Sequence, residues 1–254
     1  LSGEGFSTRI EKLFFSVASY NIHRCVGSDG RRKPERIAGV IQELNPQLVG
    51  LQEVDSFDSG GSQTDYLAQA TGLTPIAGPT IRRGTGYYGN ILLTTYPILE
   101  DRCLDISVKG WEPRSIIDAT LNVHGFPVRV IVTHLGLITL ERRRQVKHLI
   151  QILEQSKDRL ILVLGDINEW VPFSPRLRSL HKQMGRAPAP RTYPSLLPLV
   201  SLDRIWVRPS SALQSVRVHR SRLARMASDH LPVVADIAFS LALGDAKTAE
   251  EESL

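Results

Sequence analysis

Cysteine is almost missing from this chain: Cys25 and Cys103 stand far apart among 254 residues and at no metal-binding spacing. That scarcity excludes a disulfide-stapled scaffold and a Cys/His zinc centre, and it argues against thiol chemistry as the function. Long apolar runs are missing as well. Nothing approaches the roughly 18 consecutive apolar residues of a membrane-crossing helix, so the chain is expected not to span a membrane. A soluble protein, with the cytoplasm as the favoured compartment, is the expectation. No internal repeat and no linker-like stretch interrupts the sequence, which leaves one domain with a sizeable core. The opening residues, LSGEGFSTRIEK, lack the pattern of a signal peptide and are expected to form a flexible segment over 1–12.

Charge is present in excess of one sign. The net charge is +5, yet residues 241–254 carry Asp245, Glu250, Glu251 and Glu252 against Lys247, so that end holds −3 and the remainder +8. The end is expected to be an acidic disordered tail over 241–254, behind a folded domain over 13–240. A basic body suits a polyanionic or phosphate-bearing partner.

Hydrophobic patterning predicts mixed elements. FFSVASYNI (14–22) reads as a strand, KPERIAGVIQELNP (33–46) as a helix opened by Pro34 and stopped at Asn45-Pro46, and QLVGLQEV (47–54) as a buried strand. A short helix at 65–72 precedes a Gly/Arg/Tyr-rich stretch, GPTIRRGTGYYGN (78–90), read as a loop. Strands follow at NILLTTY, RSIIDATLNV and PVRVIVTHL, the last two joined by a hairpin turn at HGF. The longest helical pattern covers 139–157, with Leu140, Val146, Leu149, Ile150 and Leu153 along one side. After RLILVLGDINEW comes a proline-rich loop with one short helix, then the strands SLDRIWV and LPVVADIAFS. Together these predict a layered α/β or α+β fold with two sheets at its centre.

The polar residues that stand out sit at strand ends. Asn21 follows VASY, Glu53 follows LVGLQ, and His134 follows VIVT. Asp166 and Asn168 follow LVLG, Asp203 precedes RIWV, and Asp229-His230 precede LPVV. Each has a plain structural reading as a turn, cap or surface residue. Their joint occurrence points instead to one convergent site, since strands can deliver their ends to a shared edge. Asp166 and Asn168, two residues apart on an extended chain, share a face. Trp170, beside them, reads as packing.

Seven motifs in order, SYNIH, LQEVD, PRSIIDATL, VTHLG, LGDINEW, SLDRIWV and SDHLPV, spread over residues 17–239. In this order the sequence resembles the endonuclease/exonuclease/phosphatase superfamily, which includes deoxyribonuclease I, apurinic-site endonucleases, inositol polyphosphate 5-phosphatases and neutral sphingomyelinases. The resemblance implies a four-layer α/β sandwich, with two central, mainly antiparallel sheets flanked by helices, that cuts phosphate esters with a divalent metal. It implies Glu53, Asn21 and Asp229 as metal ligands, a hard-oxygen set suited to Mg²⁺ or Mn²⁺. His230 with Asp203 resembles the family's His–Asp dyad. Asp166 and Asn168 would activate water or orient the phosphate, and Arg114 and His134 would contact its nonbridging oxygens. His23 stands where apurinic-site endonucleases carry an acidic residue, which sets this chain apart from that subclass.

A phosphodiesterase acting on nucleic acid is the leading expectation, given the basic body. The same site could serve a phospholipid, sphingomyelin or inositol-phosphate headgroup, or a non-catalytic phosphate-binding module. The lipid reading calls for an apolar loop beside the site. YPSLLPLV (193–200) is the candidate, although its leucines read first as core packing. No stable protein partner is expected, and peripheral membrane contact stays open.

Overall fold

The computed structural model describes residues 10–57 and 62–242. Residues 243–254 of the acidic tail predicted over 241–254 and most of the predicted N-terminal segment fall outside them; Leu241 and Ala242 end the last strand, and Ile10 to Lys12 already belong to the first. In chain order the elements are β1 (Ile10–Asn21), α1 (Pro34–Leu44), β2 (Leu48–Asp55) and α2 (Gln63–Thr71). Next come β3 (Thr74–Arg83), β4 (Gly86–Thr94), β5 (Ile98–Asp105), β6 (Ser115–Val123) and β7 (Phe126–His134). The remainder are α3 (Thr139–Glu154), β8 (Ile161–Asp166), α4 (Pro175–Met184), β9 (Asp203–Arg208), β10 (Leu213–Val218), α5 (Arg222–Ala227) and β11 (Val233–Ala242). Local chemistry sets several boundaries. Pro34 opens α1, and Asn45 closes it in the left-handed region. Ser62, Ser174 and Ser221 cap α2, α4 and α5 by accepting backbone N–H bonds. No described helix is long and apolar enough to cross a membrane.

The strands form two sheets, ordered β10-β11-β1-β2-β4-β3 and β5-β6-β7-β8-β9. Every ladder is antiparallel except β1 with β2 and β7 with β8. Alternation along the strands divides the apolar residues into three cores. Val17, Leu48, Leu92, Val130, Leu162 and Leu164 meet between the sheets. Ala18, Val49 and Leu51 pack outward on α1, α2 and α5, and Ile131, Ile161 and Val163 pack outward on α3 and α4. Helix, sheet, sheet, helix is the four-layer α/β sandwich that the resemblance implied.

Four segments depart from the predicted pattern. The stretch 78–90 is a hairpin of β3 and β4 rather than a loop. Its glycines permit close pairing there, since a Cβ on Gly89 would collide with the Gly78 carbonyl. Strands β5 and β10 and the short helix α5 were not foreseen. Both strands are sheet edges on which no side chain is buried, so they lack the alternation that marks a half-buried strand.

On the second sheet a buried carboxylate carries an expected result of its own. Asp118 receives Arg129 Nε and Nη2 at 2.7 Å each and Arg102 Nη2 at 2.7 Å. Burial would raise the Asp118 carboxyl, but these hydrogen bonds outweigh it and hold its pKa below the ordinary value. A depressed folded-state pKa gives stability that is present above the unfolded value of about 4 and is lost as pH falls through the folded one. Asp118→Asn, which leaves buried Arg129 with Asp158 at 3.2 Å as its remaining carboxylate partner, is expected to cost about 1–3 kcal/mol in denaturant unfolding. It should also flatten the acid limb of the stability profile. An unchanged midpoint at neutral pH would show that the cluster contributes nothing.

Candidate active site

Strand parity assembles the site. On β1, Val17 faces the inter-sheet core, and two further steps carry Asn21 on the same face to the strand end. The same count runs from Val130 and Val132 to His134, from Leu162 and Leu164 to Asp166, and from Val207 and Ile205 back to Asp203. Because β7, β8 and β9 are neighbours in register, His134 pairs with Asp166 and Asp166 with Asp203 in one row across the sheet. Gly165 permits the approach just before that row, since a Cβ there would strike the Thr133 carbonyl.

Glu53 does not follow parity. Val49 and Leu51 face the helices, and an even count would send Glu53 after them. The register instead breaks between Leu51 and Val54, Glu53 takes φ 58°, and it is Val54 that returns to the helix side. The bulge turns the carboxylate towards the mouth between the sheets, at a backbone cost on the order of 1–3 kcal/mol. Asn168, at φ 51°, makes the equivalent turn after β8 with a residue type that tolerates it better.

Hydrogen bonds tie these side chains together. Asn21 donates through Nδ2 to Glu53 Oε1 at 3.0 Å and to Asp166 Oδ2 at 3.1 Å. Its Oδ1 accepts the His23 N–H at 3.0 Å. The orientation makes Asn21 a clasp on two carboxylates, with its oxygen turned to backbone rather than to the cavity. Asp166 Oδ1 accepts the Asn168 N–H at 2.9 Å, and Asn168 Nδ2 donates to the Leu135 carbonyl at 2.8 Å and lies 3.1 Å from His134 Nε2. His230 Nδ1 meets Asp203 Oδ2 at 2.8 Å, and the Thr192 hydroxyl donates to that oxygen at 2.6 Å. His230 Nε2 and His134 Nε2 stand 3.8 and 3.7 Å from Asp166 Oδ2.

The charges follow from burial and neighbours. Burial disfavours a charged His230, but the Asp203 carboxylate, with Asp166 and Asp229 beyond it, outweighs burial and lifts His230 to about 10. Burial also pushes Asp166 up to about 6, against the pull of His230. His134 is held well below its ordinary value by burial and by the Arg114 guanidinium, and stays neutral. Arg114 is buried, pairs with Glu112 at 3.0 Å, and keeps its Nε without a partner. A buried donor of that kind is suited to an incoming anion.

Seven of the nine predicted residues line one cavity of about 550 Å³: Glu53, Arg114, His134, Asp166, Asn168, Asp229 and His230. Asn21 and Asp203 lie behind it as the supports of Glu53 and His230. Asp166, Asp203 and His230 also bring potential ligand atoms within 4.8 Å of one another. Asp203 Oδ2 is already engaged by Thr192 and His230, while its Oδ1 is buried without a partner; with the Asp203 carboxylate favouring a charged imidazole, a poor ligand, the trio is suited to holding a proton. Hard oxygen donors facing the cavity remain in Glu53, Asp166 and Asp229, a set whose chemistry fits Mg²⁺ or Mn²⁺.

Several contributors escaped sequence reasoning. Thr192 and Tyr193, whose ring lies 4.9 Å from that of His230, come from the proline-rich loop, where no periodicity marks them. Ser228 donates to the Asn21 carbonyl at 2.8 Å and so fastens the SDH segment to β1. Trp170 is not packing: it lines the cavity half-exposed, edge-on to Tyr193. Its neighbour Glu169 is buried and held by Arg176 and Arg142, anchoring the loop to α3 and α4.

This arrangement has relatives. The chain is 28% identical over 249 residues to the uncharacterized protein YbhP of Escherichia coli (strain K12), covering 89% of this chain and 97% of that one. The solved endonuclease/exonuclease/phosphatase from Beutenbergia cavernae DSM 12333 superposes with a TM-score of 0.70 at 22% identity, over 91% of this chain and 72% of that one. Mannosyl-6-phosphatase Bt3783 of Bacteroides thetaiotaomicron VPI-5482 gives 0.68 at 19% identity, over 89% and 99%. The model of the Endonuclease/Exonuclease/phosphatase family matches residues 18–230. Because that match opens inside β1 and closes on His230, enclosing every residue of the mouth just described, the chain belongs to this family.

Proposed function

We propose that the chain hydrolyses phosphodiesters with the help of a hard divalent cation, Mg²⁺ or Mn²⁺. Members of the family are typically phosphoester hydrolases. The observation that carries the reading is the gathering of Glu53, Asp166, Asp229, Arg114 and His230 around one cavity. Glu53 and Asp229, with Asp166 beside them, are the residues that would hold the cation, and Asn21 keeps Glu53 and Asp166 aimed. When bound, the cation supplies charge neutralisation at a phosphate oxygen. Arg114 meets a second oxygen through the fork its guanidinium presents, with neutral His134 and Asn168 beside it. Asp166, raised towards neutral pH by burial, is placed to take the proton of the attacking water. His230, kept charged by Asp203, is placed to stabilise the departing oxygen and hand it a proton.

Nucleic acid is the substrate class that the basic body favours. A phospholipid headgroup is a second reading, and a specific observation favours it: Leu196, Leu197 and Leu199, expected to pack under a loop, are exposed. Incubation with plasmid DNA, a bis-aryl phosphate and phospholipid vesicles, with Mg²⁺ or Mn²⁺ and again with EDTA, separates these readings. Turnover of at least one phosphodiester, abolished by EDTA, is expected. No turnover of any phosphate ester with either metal would overturn the proposal.

A further inference from the structure

Trp170 forms the wall between two cavities. One is the catalytic mouth; the other, about 750 Å³, lies among the loop after β8, helix α4 and the loop leading to β9. At this second cavity Arg204 is only 6% exposed, donates through Nη2 to the Ser201 carbonyl at 3.3 Å, and leaves its Nε without a partner. Arg178, Arg186 and Arg191 stand around it, exposed, and none of the three forms an ion pair among the described residues. The one acid at the cavity, Glu169, is already held by Arg176 and Arg142. A buried guanidinium with a free donor, ringed by unpaired cations, is built for an anion.

Apart from His181 and Ser201, the rest of the same wall is apolar, with Trp170, Pro172, Phe173, Leu177 and Leu199 its largest side chains. Of the twelve large apolar side chains exposed among the described residues, nine fall in three segments, 137–140, 170–173 and 196–199. These segments meet the two cavities, since Leu137 and Trp170 line the mouth and Trp170, Phe173 and Leu199 line its neighbour. Phe173 is 71% exposed and Leu197 66%. Scattered single leucines would mean little, but a concentration beside an active site and a cationic cavity marks an interaction surface. Leucines with no hydrogen-bonding capacity serve a nucleic acid poorly. Aromatic and aliphatic tips beside arginines are what a lipid interface selects.

We propose that this face docks on an anionic phospholipid bilayer, with a lipid phosphate seated at Arg204 and the three surface arginines and with Phe173, Leu196 and Leu197 inserted at the acyl boundary. The contact brings the catalytic mouth to headgroup level. Docking needs no turnover, so it is measured apart from the hydrolase reading.

The test is sedimentation of the full chain, in EDTA, with vesicles of phosphatidylcholine alone and of phosphatidylcholine mixed with phosphatidylglycerol. Binding to the mixed vesicles and not to the neutral ones is expected. Arg204 is buried and its replacement risks the fold, so the variants are made at exposed positions. Arg186→Gln with Arg191→Gln should weaken binding by about thirtyfold, and Phe173→Ser with Leu197→Ser by at least about tenfold. Circular dichroism checks that both fold. No vesicle binding, equal binding to neutral vesicles, or binding unaffected by both double variants would overturn the proposal. So would a single-stranded oligonucleotide that displaces the vesicles and still binds the Phe173/Leu197 variant as tightly as the parent chain.

Discussion

Alanine in place of His230 is expected to lower the turnover of a phosphodiester by about 10²–10⁴-fold, the range that one positioned acid or base contributes. The expectation rests on a single pair: His230 Nδ1 is fixed by Asp203 Oδ2 at 2.8 Å, which leaves Nε2 facing the cavity beside Asp166. Asp203 touches no substrate, yet it holds the imidazole in place and keeps it charged. Asp203→Asn should therefore reproduce much of the loss while leaving KM close to the parent value, because binding is left to Arg114 and the carboxylates. Steady-state kinetics at saturating metal distinguish the two effects. A His230→Ala protein that keeps the parent rate would remove this residue from the mechanism.

Glu53→Gln should be as damaging for a different reason. It preserves the shape and removes the charge with which the cavity draws a cation, and a metal's several kcal/mol of charge stabilisation corresponds to a loss on the order of 10³-fold. Calorimetric titration with Mn²⁺ supplies a readout independent of activity, and weakened binding is expected. The backbone at this position adds a second arm. Glu53 holds φ 58°, which glycine adopts without strain. Glu53→Gly is accordingly expected to melt no lower than the parent chain while losing activity alongside Glu53→Gln. A Glu53→Gln protein that binds Mn²⁺ unchanged would show that the ligand set has been misread.

Much of this site is legible in the residue order because it rests on period-two counting. An apolar run such as ILVLG announces a buried strand, and a carboxylate two steps beyond an inward leucine must share its face. Asn21, His134, Asp166 and Asp203 all follow from that rule. Glu53 stands out as a strand-end residue after LVGLQ, but the bulge that re-aims it leaves no mark in LQEV, and its role as a metal ligand came from resemblance. Thr192 and Tyr193 sit in a loop without any period, so nothing local ties them to Asp203 and His230. The stretch 78–90 misled because glycine usually signals a turn, whereas here Gly89 lets two strands approach closely. Leu196, Leu197 and Leu199 misled in the opposite sense, since large apolar residues are expected inside.

The clasp at Asn21 reaches Asp166 across 145 residues of chain, and Ser228 reaches back to Asn21 across 207. Asn21, Glu53, Asp229 and His230 belong to the first sheet and its flanks, while Arg114, His134, Asp166, Asn168 and Asp203 belong to the second. No continuous half of the polypeptide therefore carries a working mouth, and the mouth exists only while the two sheets stand face to face. A ligand seated there recognises the native state alone and adds to its stability by mass action, about 2.7 kcal/mol at a hundredfold excess over Kd. Occupancy thus acts as a rivet through the middle of the molecule, so that substrate supply and resistance to unfolding rise and fall together.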